Sequence, residues 1–219
     1  MYELARGPLV WISLVVFLLG TVYQVFRFYA LSRKVVKAAP LPSPKKKKGF
    51  SPARIRHLLK QVRHTVFALH PVTMAVSVVF HTLLFVVPLF LLGHTELITI
   101  STGLPLWSLP EQVSDKLAIV VLACCVFFLL RRIFLARVRS ISSVYDYLVL
   151  LLAIVPFWTG FLAYHQIGDY RHIMTGHMIS GELMLMAIPF TKLTHMIFFF
   201  LNRFLIVNEH TLGKGSRVW

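Results

Sequence analysis

Five long apolar runs dominate this sequence, and the stretches between them are too short for a soluble domain of ordinary size. Each run is long enough for a helix that crosses a bilayer, which takes about 20 residues. The runs cover approximately residues 9–26, 66–92, 117–135, 144–163 and 179–207. The mean hydropathy is +0.74 and only 14% of the side chains are charged. The chain is therefore predicted to be all-α, an integral membrane five-helix bundle that forms one membrane domain over residues 1–219.

The basic residues predict which helix ends face the cytoplasm, because lysine and arginine near span ends are retained on that side. Of the 23 Lys and Arg residues, 19 fall in residues 27–63, in residues 131–139 or in the tail from Arg203 onward. This predicts a bacterial cytoplasmic membrane protein with its N-terminus outside, its C-terminus inside and a basic cytoplasmic loop at residues 27–65. Anionic lipid beside that loop explains the run Lys45–Lys48, so no nucleic-acid partner is expected.

The end of the basic loop has an amphipathic pattern. Apolar residues recur at helical spacing from Ile55 to Leu69, which predicts a helix at the membrane surface. We favour an anchoring role for it over a docking face for a cytoplasmic partner. His57 and His64 on this stretch, and His210 in the tail, are expected to be surface residues.

Four of the ten histidines lie inside or at the edge of the apolar runs, where an imidazole needs a partner. His70 and His81 are eleven residues apart, which is three helical turns plus roughly 20°, so both point the same way. His177 and His195 are eighteen residues apart, which is five whole turns, so they also share a face. Since the second and fifth helices cross the membrane in opposite directions, His70 would be level with His195 and His81 with His177.

Two imidazoles at each of two depths predict two b-type haems with bis-histidine ligation. The two vertical spacings differ, at about 16 Å and 27 Å, so a bend at Pro189 is expected. Zinc is less suitable, because it takes four ligands around one ion and these pairs are too far apart to converge. The chain has no C-x-x-C-H motif, and its two cysteines, Cys124 and Cys125, are adjacent, so the haems would be held without a covalent link.

Small and charged residues on the same helices add candidates around a porphyrin. Gly181 lies about 40° from the His177 direction and Ser77 about 20° from the His70 direction, so both would leave room for a flat ring. Lys192 lies about 60° from the His195 direction and would approach the propionates. Glu182 and Lys192 are also the charges inside a predicted span, which makes them functional candidates, although each could simply face a polar gap.

Histidines about ten apart on the second of five helices, followed by two that are eighteen apart on the fifth, resemble the gamma subunit of respiratory nitrate reductase. The resemblance covers essentially the spans and extends to the wider family of dihaem b cytochromes, including the membrane cytochrome b subunits of transmembrane redox complexes in sulfate-reducing bacteria. It implies that His70, His81, His177 and His195 are the axial ligands.

The same resemblance implies a place in an electron-transfer chain. The protein would carry electrons across the membrane between a quinone or a periplasmic multihaem cytochrome and a cytoplasmic iron–sulfur subunit. It would be the electron-transfer subunit of a respiratory oxidoreductase complex, with other membrane subunits as partners. Whether the chain has a quinone site of its own is left open.

The remaining histidines near the spans are His94, His165 and His172, which are expected to be solvated or interfacial. The alternative for them is a quinone site near the outer haem, where a neutral histidine could exchange a proton with a quinol. Asp169, Arg171 and Glu182 are candidates to assist such a site.

Two other functions would also place histidines inside a helix bundle. A metal-ion or proton transporter does so, but it usually has polar residues along a path, broken helices or internal repeats. A haem-free membrane anchor for soluble subunits could use buried histidines for interhelical hydrogen bonds. Two pairs of histidines in matching helical phase favour the cytochrome over both.

Overall fold

The computed structural model describes residues 1–38 and 70–204, and every regular element in these ranges is helical. The predicted amphipathic helix, the Lys45–Lys48 run and His57, His64 and His210 lie outside the described residues. The elements are α1 (Tyr2–Arg6), α2 (Pro8–Ala38), α3 (Pro71–Phe90), α4 (Leu92–Thr102), α5 (Glu111–Phe134), α6 (Ala136–Arg139), α7 (Val144–Tyr164), α8 (Tyr170–Ala187), the 3-10 turns Ile188–Phe190 and Lys192–Thr194, and α9 (His195–Phe204).

Five of these helical stretches are long and apolar enough to cross a membrane, which confirms the predicted all-helical, multi-pass architecture. Between 11% and 22% of the most apolar window of each is buried within the chain, so most of their apolar surface needs a cover other than protein. Lipid supplies that cover. The five stretches are Pro8–Leu31, Pro71–Phe90, Glu111–Phe134, Val144–Tyr164 and Tyr170–Phe190.

The described residues form two compact units, one of residues 1–38 with 151–204 and the other of residues 70–150. In the first unit, α2 lies along the fifth span. The Arg171 guanidinium sits 5.7 Å from the centre of the Tyr2 ring, and Gln24 Nε2 donates to the Pro189 carbonyl at 2.6 Å. A residue early in the first segment contacts a residue early in the fifth span, and a later residue contacts a later one, so the two segments run in the same direction. The same direction is expected for the first and fifth of five successive membrane crossings.

The fifth span is broken after Ala187, where Pro189 cannot supply a backbone N–H. Two 3-10 turns follow, separated by Thr191 in an extended conformation (φ −118°, ψ −175°). Thr194 satisfies carbonyl groups at the break: its hydroxyl oxygen lies 2.8 Å from Ile188 O and 2.7 Å from Thr191 O, so its one hydrogen can reach either, and its backbone N–H donates to Thr191 O at 3.1 Å. This local pairing allows non-helical backbone at membrane depth.

The second unit is an antiparallel pair of helices, α3 and α5, joined through α4. The rings of Phe80 and Phe128 meet edge to face with 5.4 Å between their centroids, and Leu109 N donates to Phe90 O at 2.8 Å. Gly103 ends α4 in the left-handed region (φ 73°), which glycine adopts without strain.

Several helix ends differ from the sequence prediction, and capping chemistry explains two of them. The fifth helix begins at Tyr170 instead of residue 179, because the Asp169 side chain caps it by accepting from His172 N. The second span, α3, begins at Pro71. Proline is favoured at the first helical position, and the residue before it is biased away from helical backbone. His70 is consequently outside the helix.

Replacement of Gly20 by alanine is expected to destabilise the first unit. A Cβ at Gly20 would lie 2.7 Å from Pro189 Cγ and 2.9 Å from Phe190 Cζ, closer than real contacts allow, so the helices must separate. Overpacking of this kind costs about 1–3 kcal/mol. The thermal unfolding midpoint in detergent should therefore fall. The control is Gly176→Ala, whose Cβ would meet nothing within 4 Å; equal midpoints for the two variants would contradict the close packing.

Candidate functional site

His177 lies at the contact between α7 and α8. Its Nδ1 is 2.9 Å from the Pro156 carbonyl oxygen, which can only accept, so Nδ1 carries the proton. Thr159 Oγ1 lies 3.4 Å from the same nitrogen and 3.5 Å from Ser180 Oγ. A short polar cluster therefore joins two apolar helices, fixes the ring of His177 and makes its Nε2 the basic nitrogen.

Gly160 provides the space for this imidazole. A Cβ at Gly160 would stand 3.0 Å from His177 Cε1 and 3.2 Å from its Nδ1, so any larger residue would press on the ring. Gly160 is not among the residues predicted from the sequence, where Gly181 is the candidate small residue near His177. A Cβ at Gly181 would meet nothing described within 4 Å, so the place of Gly181 beside a cofactor stays a prediction.

His81 is held within the second unit by its own helix. Its Nδ1 lies 2.6 Å from the backbone carbonyl of Ser77 and 3.3 Å from the Ser77 hydroxyl. The ring of Phe80 packs edge-on against the imidazole, with 5.2 Å between centroids. As at His177, a carbonyl acceptor places the proton on Nδ1 and leaves Nε2 as the basic nitrogen.

His195 and Lys192 lie together at the break in the fifth span. His195 begins α9, is exposed, and directs Nδ1 at the Lys192 carbonyl, 2.6 Å away. An open cavity of about 460 Å³ is lined by Thr191, Lys192, Thr194, His195 and Phe198. Lys192 and His195 thus line the same cavity, but the 3-10 turn between them replaces the continuous helix on which the predicted angle of about 60° depends. The place of Lys192 beside a propionate stays a prediction.

The helical-phase arguments for both histidine pairs need correction. His70 precedes α3 with non-helical backbone (φ −139°, ψ 64°), so helical phase does not set the direction of its side chain. His177 and His195 are separated by the two 3-10 turns, so they do not lie five regular turns apart on one helix. In both cases a proline interrupts the regular geometry. The pairing of His70 with His195 and of His81 with His177 stays a prediction.

The other histidines near the spans differ in their surroundings. His94 is half-buried and directs Nδ1 at the Pro88 carbonyl, 2.8 Å away, so it shares the arrangement of the proposed ligands. His165 packs on the Phe161 ring with 4.3 Å between centroids. The exposed His172 forms hydrogen bonds to the Asp169 carboxylate. The backbone N–H of His172 has the larger effect and its ring the smaller one, and together they lower the pKa of the Asp169 carboxyl below 3.8.

The shared feature of His81, His177 and His195 is an imidazole whose Nδ1–H is bound by a main-chain carbonyl. Metal-ligating histidines commonly donate their second ring N–H in this way, because the bond fixes the tautomer and raises the basicity of the ligating nitrogen. Among residues 1–38 and 70–204, no three His, Cys, Asp or Glu side chains converge as a metal site would need. The donor set fits a cofactor that takes one or two imidazoles per metal, as haem does.

The chain is 32% identical over 218 residues to a protein of Nitratidesulfovibrio vulgaris (strain Hildenborough), an alignment that covers 99% of this chain and 96% of the relative. The chain belongs to that protein's family. The alignment includes all five apolar helices, so the family shares the whole membrane region. No family model matches the chain.

Replacement of Gly160 by alanine is expected to displace the imidazole of His177 by a few tenths of an ångström and weaken its bond to the Pro156 carbonyl. The ring nitrogen signals of His177 in ¹⁵N-histidine NMR spectra of the detergent-solubilised protein should shift, while those of His81 stay in place. Gly93→Ala is the matched control, because a Cβ there meets nothing within 4 Å. Unchanged His177 signals in Gly160→Ala would show that the ring does not rest on this glycine.

Proposed function

We propose that this chain is a membrane dihaem cytochrome b subunit of a respiratory complex. The observation that carries the proposal is the common arrangement of His81, His177 and His195, in which a main-chain carbonyl oxygen accepts from Nδ1–H. A membrane-embedded histidine could satisfy its N–H in many ways, but this arrangement suits a ligand to a metal. His70 and His195 would hold the inner haem, and His81 and His177 the outer one.

The residues around these histidines have roles that follow from their positions. Thr159 and the Pro156 carbonyl orient His177, Gly160 admits its ring, and the Ser77 carbonyl orients His81. Lys192, beside His195, can neutralise a propionate, and Gly181 leaves room for a ring edge. A bis-histidine haem supplies a one-electron couple whose potential depends on its ligands, their hydrogen bonds and burial.

The distribution of charge supports an orientation with the N-terminus outside and the C-terminus in the cytoplasm, in the cytoplasmic membrane of a bacterium. Electrons would then pass between a quinone or a periplasmic multihaem cytochrome and a cytoplasmic iron–sulfur subunit. Because the stretches between the apolar helices are too short for a soluble domain of ordinary size, soluble or membrane partners would supply the reactions of the substrates. The resemblance to the nitrate reductase gamma subunit and its dihaem relatives supports the same assignment.

A transporter shares one feature with this chain, the broken fifth span. At a transport site, carbonyl groups freed by such a break face the path of the ion. Here the Thr194 hydroxyl can donate to the Ile188 carbonyl, the Thr194 backbone N–H donates to the Thr191 carbonyl, and Gln24 donates to the Pro189 carbonyl. This pairing favours a structural break beside a cofactor over an ion-binding one.

Single histidine variants test the proposal and the pairing together. His81→Ala and His177→Ala should each lose the same haem and keep the other, because one missing axial imidazole releases that haem. Reduced-minus-oxidised spectra with redox titration distinguish the two haems. His172→Ala, at an exposed position, is the control and should keep both. Loss of different haems from the two variants would reject the pairing, and retention of both haems in either would reject the ligand assignment.

A further inference from the structure

Glu182 is a buried carboxyl group that the proposed function leaves without a role. Its side chain lies in α8 with 6% of the residue exposed. Neither carboxylate oxygen has a hydrogen-bond partner among the described residues. An ionised carboxylate in such surroundings is strongly destabilised unless a nearby positive charge offsets it, so the group binds a proton when that charge is absent.

The helical geometry places Glu182 on the face of α8 that packs against α2. Eleven residues separate Arg171 from Glu182 within the continuous α8, which is three turns plus about 20°, so they lie on nearly the same face, and Arg171 lies over the Tyr2 ring just before α2. Pro189 follows beyond the end of α8 and packs on Gly20 of α2. Seven residues before Gly20 lies Ser13, which is 1% exposed. Because α2 and the fifth span run in the same direction, Glu182 and Ser13 occupy the layer next to Pro189 and Gly20.

Few charged groups come near this layer. Residues 8–26 of α2 and residues 151–164 of α7 contain no Asp, Glu, Lys, Arg or His. On α8, His177 precedes Glu182 by five residues, which is about 7.5 Å along the axis and about 140° around it. The backbone of α8 therefore lies between Glu182 and the His177 ring, which contacts α7. Among the side chains of this unit that the structure describes, the remaining charged or histidine ones lie towards the ends of the span; they are Glu3, Arg6, Arg27, His165, Asp169, Arg171, His172, Lys192 and His195.

We propose that Glu182 is a proton-binding site inside the membrane, linked to the oxidation state of the cofactor that His177 holds. When that cofactor accepts one electron from a quinol or a periplasmic cytochrome, the Glu182 carboxylate takes up one proton and becomes a neutral acid. Oxidation releases the electron and the proton together. This inference rests on the proposed function.

The physical reason is charge balance in a medium of low dielectric constant. The oxidised cofactor on His177 carries a positive charge that stabilises the Glu182 carboxylate, and an electron added without a proton removes that charge. Few other charged groups lie near enough to replace it. Uptake of one proton for one electron leaves the net charge of this region unchanged. By linkage, the midpoint potential of the haem on His177 must then fall as the pH rises, because each reduction consumes a proton.

Redox-difference infrared spectroscopy on the full-length, haem-loaded protein tests this directly. Reduction of the wild type should produce a carboxylic-acid C=O band that shifts in D₂O and is absent from Glu182→Gln. Glu96→Gln is the matched control, because it makes the same change at an exposed position in α4 and should keep the band. Glu182→Asp retains an acid and should give a displaced band, which covers the case in which the Gln variant folds poorly.

Potentiometric titration of the same variants gives a second readout. In the wild type and in Glu96→Gln the midpoint of the haem on His177 should fall with rising pH, and in Glu182→Gln this dependence should be lost. A normal haem spectrum without the band, or a band that persists in Glu182→Gln, would overturn the inference alone. Absence of a reducible haem from the visible spectrum of wild-type protein would overturn the proposed function, and the coupling with it.

Discussion

The hydrogen bond from an imidazole Nδ1–H to a main-chain carbonyl is the interaction on which this account depends. An uncompensated polar group in an apolar environment is costly, so each membrane-embedded histidine must find an acceptor. At His81 and His177 the acceptors are the carbonyls of Ser77 and Pro156. Since a carbonyl oxygen has two lone pairs, it can accept from a ring as well as from the backbone. The result is a fixed tautomer whose other nitrogen is suited to a metal.

The surrounding helices serve this arrangement through small residues at close contacts. Gly160 lets α7 approach the His177 ring, and Gly20 lets α2 approach the break at Pro189. At the break itself, the Thr194 and Gln24 side chains donate to carbonyl groups that would accept from backbone N–H groups in a regular helix. His195 and Lys192 are brought together because the chain leaves the helical path there. The same departure from regularity therefore creates the cavity beside His195.

Hydropathy was sufficient to predict five helices, because the cost of burying unpaired backbone in lipid allows few alternatives to a helix in an apolar run of this length. It could not predict how the histidines sit, because helical phase holds only where the helix is continuous. Pro71 puts His70 outside α3, and Pro189 separates His195 from α8. The role of Gly160 depends on which helix packs against His177, and spacing within one helix carries no information about that. Pro71 and Pro189 are visible in the sequence, and they were the available signal for the positions of His70 and His195.

Haem stoichiometry tests the central claim most directly. The full chain, produced in a host that makes haem b and purified in detergent, would be assayed by pyridine haemochrome against protein concentration, with circular dichroism to show that it is helical. The account predicts two b-type haems per chain. A folded preparation from such a host that contains no haem would contradict it.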